Sequence, residues 1–229
     1  MGYSLPEARA YCRENFYLLA QNLLDRMAFA LGLGQKIKYT QKGEQTLVDW
    51  AQKKEGGLLF SGHIGNWAIA GNLLKDLDVK VNVLMLDNEH ERLKEFLKSQ
   101  QRQPQFNVIP IKEDLSHLVE IYKAVKRGEL VCINADRFIE GAKTIDVSFL
   151  NKTIKLPEGP FILAKKLKVK YTFVFAVKSG KFDYHFSSTP PVHATSDEKK
   201  IAQDFANELE VVVKEYPQQW FNYYDVFNA

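Results

Sequence analysis

The segment Phe60-Ser61-Gly62-His63-Ile64-Gly65-Asn66-Trp67 has the residue types of a reaction site. It follows a short apolar run, Gly57 to Ser61, that reads as a buried strand, and it precedes a helical pattern. In open α/β sheets, sites lie at the carboxyl ends of strands. A histidine between two glycines at such a turn faces a crevice rather than a core, which makes His63 a candidate general base. Asn66 is a good N-cap, so backbone N–H groups near Gly65 and Asn66 point to the same region as a candidate oxyanion or phosphate site. The competing reading is a structural histidine in a turn.

A second constellation, Asn134-Ala135-Asp136-Arg137, follows the buried strand pattern Leu130 to Ile133 and so belongs to the same sheet edge as His63. Arg137 suits a phosphate or carboxylate clamp; an Asp136–Arg137 pair that merely holds a loop is the alternative. From Gly141 to Lys181 there are nine lysines (143, 152, 155, 165, 166, 168, 170, 178 and 181) against two acids, Asp146 and Glu158. Such a stretch attracts phospholipid headgroups, nucleic acid or an acidic carrier protein, or is a solvated face. Other chemistry has little support. There is no G-x-S-x-G, no P-loop and no G-x-G-x-x-G after a strand, and Gly32-Leu33-Gly34 follows a helix. Two cysteines, Cys12 and Cys132, exclude a disulfide scaffold, and five scattered histidines give no metal-ligand spacing.

The elements that must position these residues are legible in outline. With 229 residues, 45% hydrophobic and 26% charged, the chain is globular, and its net charge of +3 is too small to name a partner. No signal-peptide pattern opens it. Ser4-Leu5-Pro6-Glu7 reads as a capping box that starts a helix near residue 5. From Tyr17 to Leu33, Gln21, Asn22, Asp25 and Arg26 share one face. Leu19, Leu23, Leu24, Met27, Ala30 and Leu31 lie on the rest, and Gly32 and Gly34 end the helix. This amphipathic helix is too polar to cross a membrane. Its apolar face is expected to pack on the core; a membrane-surface helix is the alternative.

Beyond it, helices are expected over 44–54, 66–77, 89–101, 115–126, 156–167 and 196–214, the last N-capped at Ser196. Strands are expected over 57–61, 79–86, 106–111, 130–134, 169–177 and 182–187, the last two forming a hairpin. The alternation predicts one α/β domain spanning residues 1–229, with a mixed, largely parallel sheet flanked by helices and an amphipathic N-terminal helix over 1–34.

Taken together, these blocks resemble the late acyltransferases of lipid A biosynthesis, the lauroyl/myristoyl transferase group of the lysophospholipid acyltransferase superfamily. Ser61 to Trp67 looks like the family's H-x-G-N-W core. Asn134-Ala135-Asp136-Arg137 with Gly141, Val147-Ser148-Phe149-Leu150, and Leu156-Pro157-Glu158-Gly159-Pro160 follow in the family's order. Pro217-Gln218-Gln219-Trp220-Phe221 looks like its ending. The match covers roughly residues 8 to 227.

The resemblance implies a glycerolipid-acyltransferase-like fold and an O-acyltransferase. Such an enzyme moves a fatty acyl chain from a thioester, expected to be acyl carrier protein, to a hydroxyl of a lipid or glycolipid. The setting implied is peripheral, at the cytoplasmic face of the inner membrane of a Gram-negative bacterium, with no nucleic acid partner. His63 would take the hydroxyl proton. Asp136 and Arg137 complete the expected catalytic set. Gly65, Asn66, Trp67, Phe149, Glu158 and Gly159 are the expected substrate-binding positions. The thioester is already activated, so no metal or organic cofactor is expected.

Two departures qualify this reading. Family members generally carry an N-terminal membrane helix, which is not seen here. The family motif is H-x-x-x-x-D/E, and Ala68 stands at its acid position. A histidine without a carboxylate loses the group that fixes its tautomer; in the serine proteases, neutralising that acid costs ~10⁴ in turnover. Either Ala68 is an introduced substitution, or another acid serves, or the chain is a weak or non-catalytic relative; impaired turnover through Ala68 is the expectation. A non-catalytic lipid-binding relative and a thioesterase or hydrolase are the alternatives.

Overall fold

The structure is a computed structural model that describes residues 3–30, 33–34, 37–66, 79–86, 107–139, 141–223 and 225–227. Among these, α1 (Leu5–Ala30) is followed by β1 (Lys38–Lys42), α2 (Glu44–Gln52) and β2 (Gly57–Ser61). Next come β3 (Val81–Leu86), β4 (Asn107–Ile111), α3 (Ser116–Lys126) and β5 (Leu130–Asn134). The rest of the chain supplies β6 (Thr144–Phe149), β7 (Lys152–Pro157), α4 (Glu158–Leu167), β8 (Lys170–Lys178), β9 (Asp183–Ser188), β10 (Val192–His193), α5 (Glu198–Glu215) and a 3-10 turn at Pro217–Gln219. The expected helices over 66–77 and 89–101 lie outside the described residues, apart from Asn66.

The main sheet has the strand order β1-β9-β8-β2-β5-β3-β4, with β10 added to β8. β2, β3, β4, β5 and β8 run parallel, and β9 and β10 are antiparallel to β8. This is the predicted mixed, largely parallel α/β sheet. Its central strands are buried on both faces, as their unbroken apolar runs require. One face carries Leu58, Phe60, Val131, Ile133, Phe173 and Phe175 against α3, α4 and α5. On the other, Leu59, Leu130, Val174 and Ala176 meet Leu47 and Trp50 of α2. The aromatic-rich composition is largely core: Phe60, Phe161, Phe173 and Phe205 form a chain of rings whose centroids lie 5.5–6.3 Å apart.

Several elements differ from expectation: β1 and β10 form where no strand was expected. The β6–β7 hairpin occupies a lysine-rich stretch for which no strand was expected, and β7 takes Leu156 and Pro157 from the helix expected over 156–167. Its strands alternate, with Ile145, Val147, Phe149, Ile154 and Leu156 buried and Asp146, Ser148, Thr153 and Lys155 exposed. That is a period-2 pattern packed on α5, with Gln203 bridging to both backbone groups of Ser148. The α5 N-cap is Asp197, whose carboxylate accepts from the N–H groups of Lys199 and Lys200, rather than Ser196.

The largest reversal is α1. One half of its expected capping box is present, with Glu7 Oε2 accepting from the Ser4 N–H; Ser4 Oγ donates to the same carboxylate. The face turned to the protein, however, is polar. Asn22 is buried, while Phe16, Tyr17, Leu23, Leu24 and Met27 are exposed, from 44% at Met27 to 63% at Phe16. The polar stripe is needed inside because it meets irregular backbone whose carbonyls would otherwise be buried unpaired. Among the described residues, no helix is long and apolar enough to cross a membrane.

Candidate active site

β2 and β5 are parallel neighbours, and Ser61 is in register with Asn134 at their carboxyl ends. Each chain leaves the sheet there, and each carries a chemical residue two positions on: His63 after Ser61, Asp136 after Asn134. Two equal exits from two in-register strands put these side chains side by side, although 73 positions separate them in sequence. The imidazole Nδ1–H donates to Asp136 Oδ1 at 2.6 Å, and the His63 backbone N–H donates to Asp136 Oδ2 at 2.7 Å. The carboxylate therefore grips both ends of one residue, fixing ring and backbone together.

Asp136 is only 1% exposed, whereas the His63 ring is 25% exposed. Burial pushes the Asp136 carboxyl up. The opposing His63 charge, the two His63 hydrogen bonds and the Arg137 guanidinium outweigh it and hold the group below the usual carboxylate range. A buried, ionised carboxylate on Nδ1 selects the tautomer with its proton there and leaves Nε2 as the basic nitrogen. Nε2 has no partner among the described residues.

The loop that carries His63 is clamped from three directions. Gly65 N–H donates to Gln219 O at 2.9 Å, Asn66 N–H donates to Ala176 O at 2.7 Å, and Phe221 N–H donates to His63 O at 2.8 Å. Gly65 has φ +62°, and a Cβ there would lie 1.9 Å from Ala176 O, so glycine is required. These bonds correct one expectation. The N–H groups of Gly65 and Asn66 are already spent on carbonyls, so they are not the donors for an oxyanion.

Asn66 is fully buried and bonds to α1 and Tyr184, and Gly65 is likewise enclosed by the clamp. Arg137 lies in the site, with its guanidinium partly committed: Nε donates to Asn222 Oδ1 at 3.2 Å, and Nη2 donates to Phe221 O. It thus ties the Asp136 loop to the same C-terminal segment that clamps the His63 loop. Phe149 is buried beneath the site, 5.3 Å from the Trp220 ring. Glu158 and Gly159 open α4, with Glu158 N–H donating to Lys143 O rather than to the His63–Asp136 pair. Trp67 and Ala68 lie outside the described residues.

Trp220 is the site residue the sequence reading did not single out. Its Nε1–H reaches Asp136 Oδ2 at 3.4 Å, and Ile64 forms a β-bridge with it. The closing Pro217-Gln218-Gln219-Trp220-Phe221 block, noted only as part of a family pattern, was the available signal. The lysine-rich stretch is divided by the fold. Lys178 is buried against Asp25, and Lys165 and Lys170 pair with Glu198 and Glu55. Lys143, Lys152, Lys155, Lys166, Lys168 and Lys181 remain on the surface. Among the described residues, no group of three or more His, Cys, Asp or Glu side chains could hold a metal ion.

Comparison with protein families assigns the chain. The family described as bacterial lipid A biosynthesis acyltransferase matches residues 26–226, nearly the whole chain and both halves of the His63–Asp136 pair. The chain belongs to that family. No curated protein matches it. The family's activity is acyl transfer in lipid A biosynthesis, which calls for an acyl donor and a lipid acceptor. For this acyltransferase the matched span begins within α1, at Arg26, and runs through the β6–β7 hairpin to the C-terminal clamp.

Proposed function

We propose that this lipid A acyltransferase family member moves a fatty acyl chain from a thioester, acyl carrier protein being the donor, to a hydroxyl of a lipid or glycolipid acceptor, with His63 as general base and Asp136 as its carboxylate partner. The observation that carries the proposal is the 2.6 Å bond from His63 Nδ1 to the buried Asp136. His63 Nε2 accepts the hydroxyl proton as the oxygen attacks the thioester carbonyl. Asp136 stabilises the imidazolium so formed, and the proton is then returned to the departing thiolate. Asp136 is thus the acid that serves in place of the motif position held by Ala68, and the chain is active as it stands.

The enzyme works as a peripheral protein at the cytoplasmic face of the inner membrane. The outward apolar row of α1, from Phe16 to Met27, contacts the lipid surface, and its inward side touches the His63 loop. The exposed lysines of the β6–β7 and α4 region supply the positive surface for an acidic donor or headgroup. The test is turnover of an acyl thioester with and without a lipid hydroxyl acceptor. Acyl product that appears only with acceptor, and is lost in His63→Ala, supports transfer. Equal thioester cleavage without acceptor would make the protein a hydrolase.

A further inference from the structure

α1 carries Asn15, Asn22 and Arg26 at intervals of seven and four residues, which places them on one helix face. All three bond to the segments that hold the site. Asn15 Nδ2 donates to Gln218 O at 2.8 Å, and Tyr223 Oη donates to Asn15 Oδ1 at 2.6 Å. Asn22 Nδ2 donates to Gly65 O at 3.2 Å, and Arg26 Nε donates to Asn66 Oδ1 at 3.0 Å. Asn66 Nδ2 returns a bond to Asn22 O at 3.3 Å. This stripe is itself anchored from behind: Tyr184 Oη donates to Asp25 Oδ2 and lies 3.0 Å from Asn22 Oδ1, and Lys178, 4% exposed, pairs with the same Asp25 carboxylate.

We infer that Asn22 and Arg26 of α1 are positioning residues for acyl transfer, holding His63 on Asp136 through Gly65 and Asn66. The inference rests on His63 and Asp136 being the catalytic pair. Asn22 and Arg26 bond to Gly65 and Asn66, not to the reacting nitrogen. They act on the two residues that follow His63 by one turn of loop. Gly65 is a hinge in the left-handed region, and its carbonyl accepts from Asn22; losing that bond leaves a buried acceptor unpaired at the point where the loop reverses. A displacement of the imidazole by ~1 Å is enough to cost about 10²-fold in turnover. The polar inner face of a helix whose outer face is apolar is then explained: α1 is built to complete the site rather than to fill the core.

The experiment uses the full chain with a water-soluble acyl thioester and a lipid hydroxyl acceptor. Asn22→Ala, Arg26→Met and Arg26→Lys are compared with the exposed α1 variant Glu14→Ala, and with Asp136→Asn to report on the pair itself. The expected result is a 10- to 100-fold fall in kcat for Asn22→Ala and Arg26→Met with KM for the thioester nearly unchanged. The low-field imidazole Nδ1–H resonance of His63 should weaken or shift in both, Arg26→Lys should recover part of the rate, and Glu14→Ala should leave both readouts unchanged. Circular dichroism gives the folded fraction of each variant. Turnover that falls only in proportion to that fraction, with the His63 resonance intact, overturns the inference, as does full activity in both deletion variants. If Asp136→Asn retains activity, it is the catalytic reading that fails, a result separable from the α1 arms.

Discussion

Replacing Asp136 by asparagine tests the proton-transfer reading most directly, because the structure dictates how the amide must sit. Asp136 offers one oxygen to the imidazole at 2.6 Å, and the other to the His63 backbone N–H at 2.7 Å and Trp220 Nε1–H at 3.4 Å. Asparagine keeps one oxygen and gains an NH₂. With the NH₂ on the backbone side, it faces two N–H donors in a buried site, at about 1–3 kcal/mol for each polar group left unpaired. With the NH₂ on the imidazole side, both N–H donors keep their acceptor, and the ring adjusts by moving its proton from Nδ1 to Nε2. The second arrangement is the less costly, so the variant should fold while holding His63 in the tautomer that cannot accept a proton at Nε2. The same substitution in serine proteases costs ~10⁴ in turnover. Here about 10³- to 10⁴-fold is expected, or about 4–5.5 kcal/mol of transition-state stabilisation. The assay is single-turnover acyl transfer, paired with imidazole ¹⁵N shifts to read the tautomer. A variant within tenfold of the unmodified protein, or one whose tautomer is unchanged, would refute the reasoning.

Gly65→Ala should abolish turnover and lower the melting temperature, since the added methyl would lie 1.9 Å from Ala176 O at a positive φ; thermal unfolding and transfer rates check both. Gly62→Ala is milder: its Cβ would sit 3.1 Å from Asp136 Oδ2 and 3.2 Å from Leu209 Cδ1, so a folded protein with a displaced carboxylate and reduced kcat is expected. The Asp136 carboxyl titrates lower in the folded chain than in the unfolded one. Its stabilising contribution is therefore complete above the unfolded value of about 3.9 and is lost as pH falls through the folded value. Acid unfolding of Asp136→Asn, followed by fluorescence, should lack this component. Anionic liposomes should co-sediment the protein at low salt and release part of it at high salt, and Leu23→Glu with Leu24→Glu should weaken binding at every salt concentration.

The meeting of His63 and Asp136 was legible because it depends on two short apolar runs and on nothing else. Once Gly57–Ser61 and Leu130–Asn134 are read as buried parallel strands, each next polar residue is delivered to the same edge. What could not be read is which surface a distant element needs. The periodicity of α1 separates its apolar and polar faces correctly. The inward choice depends on bare carbonyls at Gly65, Gln218 and Trp220, which come from segments about 40 to 200 positions away. The N–H groups after His63 misled for a related reason. A capped helix start exposes such donors in general, but here β8 and the C-terminal segment reach in and take them. The β6–β7 hairpin was readable from Ile145, Val147, Phe149, Ile154 and Leu156, which alternate with Asp146, Ser148, Thr153 and Lys155; the net positive charge of the stretch is independent of that period.

The position of Ala68 now carries a sharper expectation than motif comparison alone allows. An imidazole has two nitrogens, and a general base can use one for its carboxylate partner and one for the substrate proton. In this chain the first is occupied, with Asp136 on Nδ1 at 2.6 Å. A carboxylate introduced at position 68 has two ways to meet the ring, and neither helps. On the Nδ1 side it competes with an ionised group already bound there, adding like-charge repulsion in a buried place. On the Nε2 side it holds the nitrogen that must take the hydroxyl proton. Ala68→Glu is therefore expected to leave acyl transfer unchanged or to lower it, and Ala68→Glu combined with Asp136→Asn is expected to remain at least tenfold below the unmodified protein. Measuring transfer in the unmodified, single and double variants decides the matter. A rise of orders of magnitude in Ala68→Glu alone would mean that Asp136 holds the His63 backbone without serving the reaction. The acid would then belong at position 68, as the family motif has it.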